Sequence, residues 1–186
     1  VFGWEIGAML KARKRRGLDW GLKHFLTALA LLAVVSGLGL GLSWPGLRLT
    51  PFTGQLENVY GFLVLLGVVS LAILGMLYKI VPFLVWYSSY SAEVGRRKVP
   101  ALADLYSARL QAVGYWLFVG GLVMVCAATL LGHEKGVQGS CAVLLGSLAV
   151  FAVNMAKILR HLVRPVTEPL ARTVQKPPGK NDGTSD

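Results

Sequence analysis

The chain has 186 residues, of which 54% are hydrophobic and only 15% are charged, and its formal net charge is +10. Soluble domains carry about 25% charged residues, so this composition excludes an ordinary soluble domain, whose water-exposed surface needs more polar side chains. The positive charge does not indicate nucleic-acid binding, because the basic residues bracket apolar segments and form no separate basic domain. The composition instead predicts an all-α integral membrane protein.

Residues 1–16 start with an apolar stretch, Val1–Leu10, and then turn basic. A signal peptide has the opposite order, with the positive charge before the apolar residues. We therefore expect residues 1–16 to be a cytoplasmic segment or the end of an upstream helix. In the first case Phe2 and Trp4 would anchor an interfacial helix, and in the second the chain would be the C-terminal part of a longer helical membrane protein.

Residues 17–170 are predicted to form a four-helix transmembrane domain. A bilayer core of about 30 Å needs about 20 apolar residues to cross it, and four segments satisfy this rule. The predicted spans cover residues 20–44, 58–81, 110–131 and 140–162.

The second apolar run continues beyond its predicted span as far as Tyr87. From Asn58 to Tyr87 a helix would be about 45 Å long, which is too much for one upright crossing. We expect a kink near Pro82, because proline removes one helical hydrogen bond. The part after Pro82 would then lie at the membrane interface.

The basic residues predict the orientation of the bundle. With four spans, 17 of the 19 lysines and arginines lie on one side, and only Arg48 and Lys135 lie on the other. Because cytoplasmic loops carry the excess of Lys and Arg, both termini are predicted to be inside. We expect a multi-pass protein of the bacterial cytoplasmic (inner) membrane, with a short turn over residues 132–139 and a flexible cytoplasmic tail over residues 171–186.

Candidate cofactor ligands are few. The central parts of the four spans contain no Asp, Glu, Lys or Arg, which argues against a small transporter or channel, our third reading. His24 and His161 fall at the same ends of the first and fourth spans and are the weak candidates for a haem b site, since two imidazoles on facing helices can ligate haem iron. The alternative is that both histidines lie at the interface among basic residues. No metal site and no catalytic residue is predicted.

The cysteines and the small residues suggest packing. Cys126 and Cys141 would either bridge the third and fourth spans on the outer side or pack as small residues. Several helices carry glycine or alanine at four-residue spacing, a pattern that lets membrane helices approach closely. Asn154 and Ser147, seven residues apart on one helical face, are predicted to form inter-helix hydrogen bonds.

The stretch from Tyr60 to Tyr106 contains the apolar run Tyr78-Lys79-Ile80-Val81-Pro82-Phe83-Leu84-Val85-Trp86. It resembles bacterial multi-helix membrane proteins of the NnrS-like and haem–copper oxidase subunit I-like group. The resemblance implies a link to haem, copper or nitric oxide metabolism. However, Tyr60, Phe62 and Ser88 stand where that group is expected to carry histidine, so the resemblance implies a relative that kept the scaffold and lost the metal site.

We therefore expect a non-catalytic transmembrane subunit that packs against other membrane subunits in a larger respiratory or electron-transfer complex. Its second helix, the extension Lys79–Tyr90 and the loop Arg96–Lys98 would be the docking surface, and anionic lipids would contact the basic side. The alternative is a haem- or quinone-binding membrane redox protein. No enzyme activity is expected from the chain itself.

Overall fold

The computed structural model describes residues 19–46, 50–94, 97–163 and 168–169. Four long helices make up most of it: α1 (Trp20–Leu42), α2 (Pro51–Tyr90), α3 (Ala108–Leu130) and α4 (Glu134–Val163). Each is long and apolar enough to cross a membrane, which confirms the predicted set of four apolar helices. The predictions for residues 1–16 and 171–186 lie outside the described residues.

The first helix ends where the sequence supplies a proline. The backbone N–H of Ser43 donates to the carbonyl of Gly39 at 3.0 Å, and that of Trp44 donates to Gly41 at 3.3 Å. Pro45 follows and has no N–H with which to extend the helix. α1 therefore ends two residues before Trp44, the predicted edge of the span.

The second helix begins at Pro51, ahead of the predicted span. The Thr53 N–H donates to the Thr50 hydroxyl at 3.3 Å, and the Thr50 N–H donates to the Thr53 hydroxyl at 2.8 Å. This reciprocal pair caps the helix start, and Pro51 suits the first helical position. Hydropathy misses these turns because they are polar.

The middle of α2 has an unusual backbone. Residues Leu63–Ser70 adopt a π-helix, and the Ser70 hydroxyl donates to the Leu65 carbonyl five residues earlier at 2.8 Å. Pro82 lies inside the helix, which continues through it to Tyr90. With 40 residues, α2 is about 60 Å long, twice the thickness of a bilayer core.

The turn between α3 and α4 is shorter than predicted. Only residues 131–133 separate the two helices, and residues 134–139, predicted as part of the turn, form the first turns of α4. Gly132 has φ of +64°, and the His133 N–H donates to the Ala128 carbonyl at 2.9 Å. Glycine suits this left-handed position, so the chain reverses within three residues.

Consecutive helices run antiparallel. Gly21 and Gly39 of α1 lie against Gly75 and Tyr60 of α2, respectively, so the start of one helix packs on the later part of the other. We call the end of the bundle where α1 and α3 begin and α2 and α4 end the basic end. Lys23, Arg109 and Arg160 are located there.

Two hydrophobic clusters fill the interior. The first joins all four helices through residues such as Ala28, Leu71, Phe118 and Leu144. The second lies nearer the basic end and includes Tyr78, Met155 and Ile158. The outer surface is apolar as well: Leu40, Leu65, Val123 and Leu145 are 63% to 75% exposed.

The connection from α2 to α3 lies at the basic end. It contains two short 3₁₀ turns, Ser91–Glu93 and Leu102–Leu105, and a two-residue strand β1 (Arg97–Lys98). β1 pairs antiparallel with β2 (Glu168–Pro169), with Arg97 opposite Pro169. The Trp86 indole N–H donates to the Pro100 carbonyl at 2.9 Å and so fixes this connection to α2.

Candidate functional site

Polar side chains from all four helices collect toward the basic end of the bundle, and four of the six are buried while Thr27 and Tyr115 are half-buried. We call this group the inner polar cluster. Its members are His24 and Thr27 of α1, Tyr78 of α2, Gln111 and Tyr115 of α3, and Asn154 of α4. Buried polar groups are costly in a membrane helix unless they find partners, so the partners of each member decide what the cluster can do.

His24 is only 2% exposed. Its Nδ1 lies 2.7 Å from the carbonyl oxygen of Trp20, and because a carbonyl only accepts, Nδ1 carries the proton of this bond. Tyr78 and Tyr115 pack against the imidazole, with ring centroids at 5.5 Å and 5.0 Å. Gly75 lets α2 approach α1 closely beside His24, since a Cβ on Gly75 would lie 3.1 Å from the Cβ of His24.

Thr27 and Tyr115 link α1 to α3. The Thr27 hydroxyl donates to the Lys23 carbonyl at 2.9 Å, so its oxygen accepts from the Tyr115 hydroxyl at 2.8 Å. Above them, the Lys23 ammonium lies 3.6 Å from the centre of the Trp20 ring. This is a cation–π contact near the helix start.

Asn154 and Ser147 link α4 to α3, which confirms the prediction made for these two residues. The Asn154 Oδ1 accepts from the Ser107 N–H at 3.1 Å, and its Nδ2 donates to the Ser107 carbonyl at 3.4 Å. The Ser147 hydroxyl donates to the Gly114 carbonyl at 2.8 Å. Gly114 and Ser147 thus bring the two helices together through a backbone oxygen.

Gln111 was not predicted from the sequence as a functional residue, and neither were Thr27, Tyr78 and Tyr115. Gln111 is 1% exposed, and neither its Nε2 nor its Oε1 has a hydrogen-bond partner among the described residues. It lies one turn before Gly114 and Tyr115 on the inward face of α3. An unpaired buried amide is destabilising and marks a position under functional or structural constraint. The place of Gln111 at the polar edge of an apolar segment gave no sign of burial in the sequence.

The structure does not bring His24 and His161 together. His24 contacts Tyr78, whereas the Nδ1 of His161 lies 2.9 Å from the Tyr90 hydroxyl. Tyr78 and Tyr90 are twelve residues apart on α2, which is about 18 Å along the helix. Two axial ligands of one iron must lie within a few ångströms of each other, so the arrangement does not fit a haem held by this pair. In the described parts of the chain, no three His, Cys, Asp or Glu side chains group as metal ligands.

An apolar crevice opens beside the cluster. It has a volume of about 210 Å³ and is lined by Thr27, Leu31, Leu63, Val119, Leu122, Val123 and Cys126. Apart from Thr27 and Cys126 the lining is aliphatic, so its chemistry suits a hydrocarbon chain.

The two cysteines are free thiols. Cys126 is half-buried beside the crevice, and Cys141 is exposed on α4. The bridge that the sequence left open is thus not formed in this structure. The resemblance would place a histidine at position 60. The ring of Tyr60 packs against Gly39, where an added Cβ would lie 3.2 Å from a ring carbon.

No known family, curated protein or solved structure matches this chain. The resemblance of residues 60–106 to the NnrS-like and haem–copper oxidase-like group therefore stays a prediction. What the chain does has to be argued from its own residues.

Proposed function

We propose that this chain is a non-catalytic transmembrane subunit that packs against other membrane subunits in a larger complex. The observation that supports this most directly is a row of small residues on the outer surface of α4. The row, which we call the outer small face, consists of Gly139, Ala142, Gly146 and Ala149.

The outer small face points away from this chain's own core. Its members are exposed, while Ser140, Leu144 and Ser147 on the other side of α4 are buried. Their spacing of three, four and three residues is that of a helix–helix seam. Lipid does not drive apolar helices together as water does, so membrane helices associate through close packing. Small residues at such a seam let a second helix approach closely.

Two groups of glycines stand out among the described residues. Gly21, Gly67, Gly75 and Gly121 lie against neighbouring helices, where a Cβ would meet another atom within 3.0 Å. A second group lies in open space, with nothing within 4 Å of a Cβ: Gly37 and Gly41 on α1, Gly54 and Gly61 on α2, Gly120 on α3, and Gly139 and Gly146 on α4. The first group serves this fold. Of the second, we assign the open glycines of α1 and α4, which stand in exposed rows of small residues, to contacts with other subunits.

The first helix supports the same proposal. Only 11% of its most apolar window is buried within the chain. Ala33, Gly37 and Gly41 form a second exposed row of small residues at four-residue spacing. α1 and α4 would each offer a surface to a partner, in addition to the docking surface on the α2 extension expected from the sequence.

The wider setting rests on sequence. We place the basic end in the cytoplasm and the bundle in the bacterial inner membrane, because the positive residues collect at that end. A respiratory or electron-transfer complex is the setting that the resemblance of residues 60–106 favours. A quinone-binding redox protein is the second candidate, and the apolar crevice beside Thr27 and Cys126 is the observation that favours it.

The experiment is extraction of native membranes in mild detergent, followed by mass determination of the particle that contains this chain. Gly146→Leu should release the chain from its complex, because leucine fills the seam. Gly120→Leu, the same change at an open glycine on α3, is the matched control and should leave the complex intact. A wild-type particle containing only this chain, alone or in multiple copies, would contradict the proposal.

A further inference from the structure

A cleft at the basic end of α4 adjoins the inner polar cluster at Ser107, whose backbone bonds to Asn154, and contains no side chain of that cluster. Its volume is about 580 Å³, and it lies between the segment Asp104–Ser107 and three α4 side chains: Lys157, Arg160 and His161. We call it the headgroup cleft. None of these side chains has a role in the proposed subunit contacts.

The charges of the headgroup cleft favour an anion. Lys157 and Arg160 each carry one positive charge, and a guanidinium can bind a phosphate through two parallel hydrogen bonds. Asp104 is the one acidic side chain in the lining, and its Oδ2 already accepts the Ala101 N–H at 3.0 Å. The cleft therefore keeps a positive balance.

Two further side chains complete the lining. The Nδ1 of His161 lies 2.9 Å from the Tyr90 hydroxyl, which fixes the ring and leaves Nε2 out of this bond. Burial, and after it the charge of Asp19, raises the pKa of Tyr106, so its phenol stays protonated at neutral pH and can donate a hydrogen bond. A phosphate ester offers several acceptor oxygens for such donors.

An apolar groove adjoins the cleft at Arg160. It is lined by Ala156, Leu159, Arg160 and Val163 and has a volume of about 550 Å³. We call it the acyl groove. Arg160 borders both spaces, as expected of a long side chain that lays its stem on apolar surface and keeps its charge in a polar site. One ligand with an anionic head and a hydrocarbon tail fits this combination.

We propose that α4 binds an anionic glycerophospholipid, with its phosphate in the headgroup cleft and one acyl chain in the acyl groove. This goes beyond the role of a packing subunit. A free phosphate ion would leave the groove without an occupant, and a zwitterionic lipid would gain less from Lys157 and Arg160. Basic pockets on the cytoplasmic side of membrane helices commonly recognise such headgroups.

The test is native mass spectrometry of the purified full chain in detergent with equal amounts of phosphatidylglycerol and phosphatidylcholine. The wild type should retain phosphatidylglycerol in preference to phosphatidylcholine. Lys157→Gln combined with Arg160→Gln should weaken retention of phosphatidylglycerol about 30-fold, the effect expected of two headgroup cations. Arg109→Gln removes an exposed cation outside the cleft and should leave retention unchanged.

Further variants distinguish a lipid from a free phosphate ester as the ligand, and they control for misfolding. Ala156→Phe fills the acyl groove and should weaken retention of the lipid without affecting binding of glycerol phosphate. If the double variant fails to fold, Arg160→Lys takes its place in the test. It keeps the charge but loses the paired hydrogen bonds of the guanidinium, so it should lose part of the preference for phosphatidylglycerol. The proposal is overturned by equal retention of both lipids, by an equal loss in Arg109→Gln, or by displacement of the lipid with an equal concentration of glycerol phosphate.

Discussion

The carbonyl oxygen of Gly21 lies 2.7 Å from the position that a Cβ would occupy on Gly75, so α1 and α2 touch through their backbones. The same Cβ would also lie 3.1 Å from the backbone nitrogen of Phe25. Neither neighbour is the flexible end of a side chain, and neither can move without shifting a helix. This contact fixes the depth at which His24 meets Tyr78 and Tyr115.

Gly75→Ala is therefore expected to destabilise the bundle. Overpacking of a tight contact costs about 1 to 3 kcal/mol, which exceeds the gain of about 1 kcal/mol in helix propensity. Gly37→Ala makes the same change where nothing lies within 4 Å, and should be neutral or stabilising. Thermal unfolding in mild detergent measures both, and equal melting temperatures would contradict the close packing of α1 on α2.

A second prediction concerns the link between α4 and the start of α3. Asn154→Leu removes the acceptor of the Ser107 N–H and should lower the free energy of unfolding by about 1 kcal/mol, up to about 2. Ser140→Ala is the matched control, because Ser140 is equally buried but bonds only to Gly136 within its own helix. Chemical unfolding in detergent compares them. An equal loss in both variants would show that the inter-helix bond adds nothing.

The third prediction is a gain in stability, because the buried amide of Gln111 has no hydrogen-bond partner among the described residues. Gln111→Met keeps the length of the side chain and removes two buried polar atoms without partners, so it should stabilise the chain by about 1 to 3 kcal/mol. Gln111→Glu should destabilise it, because it places an acidic group in the same buried position. Melting temperatures in detergent decide the matter. A destabilised Gln111→Met variant would mean that the amide is bound by a group outside the described residues.

The four apolar helices could be predicted because hydropathy over about 20 residues is a strong signal. Their ends could not, because capping interactions decide them. Thr50 and Thr53 start α2 in a polar stretch, and Gly132 turns the chain early enough for α4 to begin at Glu134. The π-helix over Leu63–Ser70 has no counterpart in the hydropathy pattern, which is uniformly apolar there.

The inner polar cluster was predicted only in part. Asn154, and Ser147 outside the cluster, could be named because polar residues on one face of a membrane helix need partners. The separation of His24 from His161 could not be foreseen, because both lie near helix ends on the same side of the bundle. Only the structure shows that they contact Tyr78 and Tyr90, which lie far apart along the long helix α2. Gln111 was overlooked because it lies at the polar edge of an apolar segment, where burial is not evident from the sequence.

The orientation of the bundle gives the last prediction. The basic end should face the cytoplasm, so a cysteine at Ala101, exposed in the connection before α3, should react with a membrane-impermeant maleimide only after cells are permeabilised. A cysteine at Lys135, exposed at the opposite end, should react in intact cells. Both variants need Cys126→Ser and Cys141→Ser as background, because the native thiols are free. Labelling of position 101 in intact cells would show that the basic end faces outward. The headgroup cleft would then lie in the outer leaflet, where it could not bind the anionic lipids of the cytoplasmic leaflet.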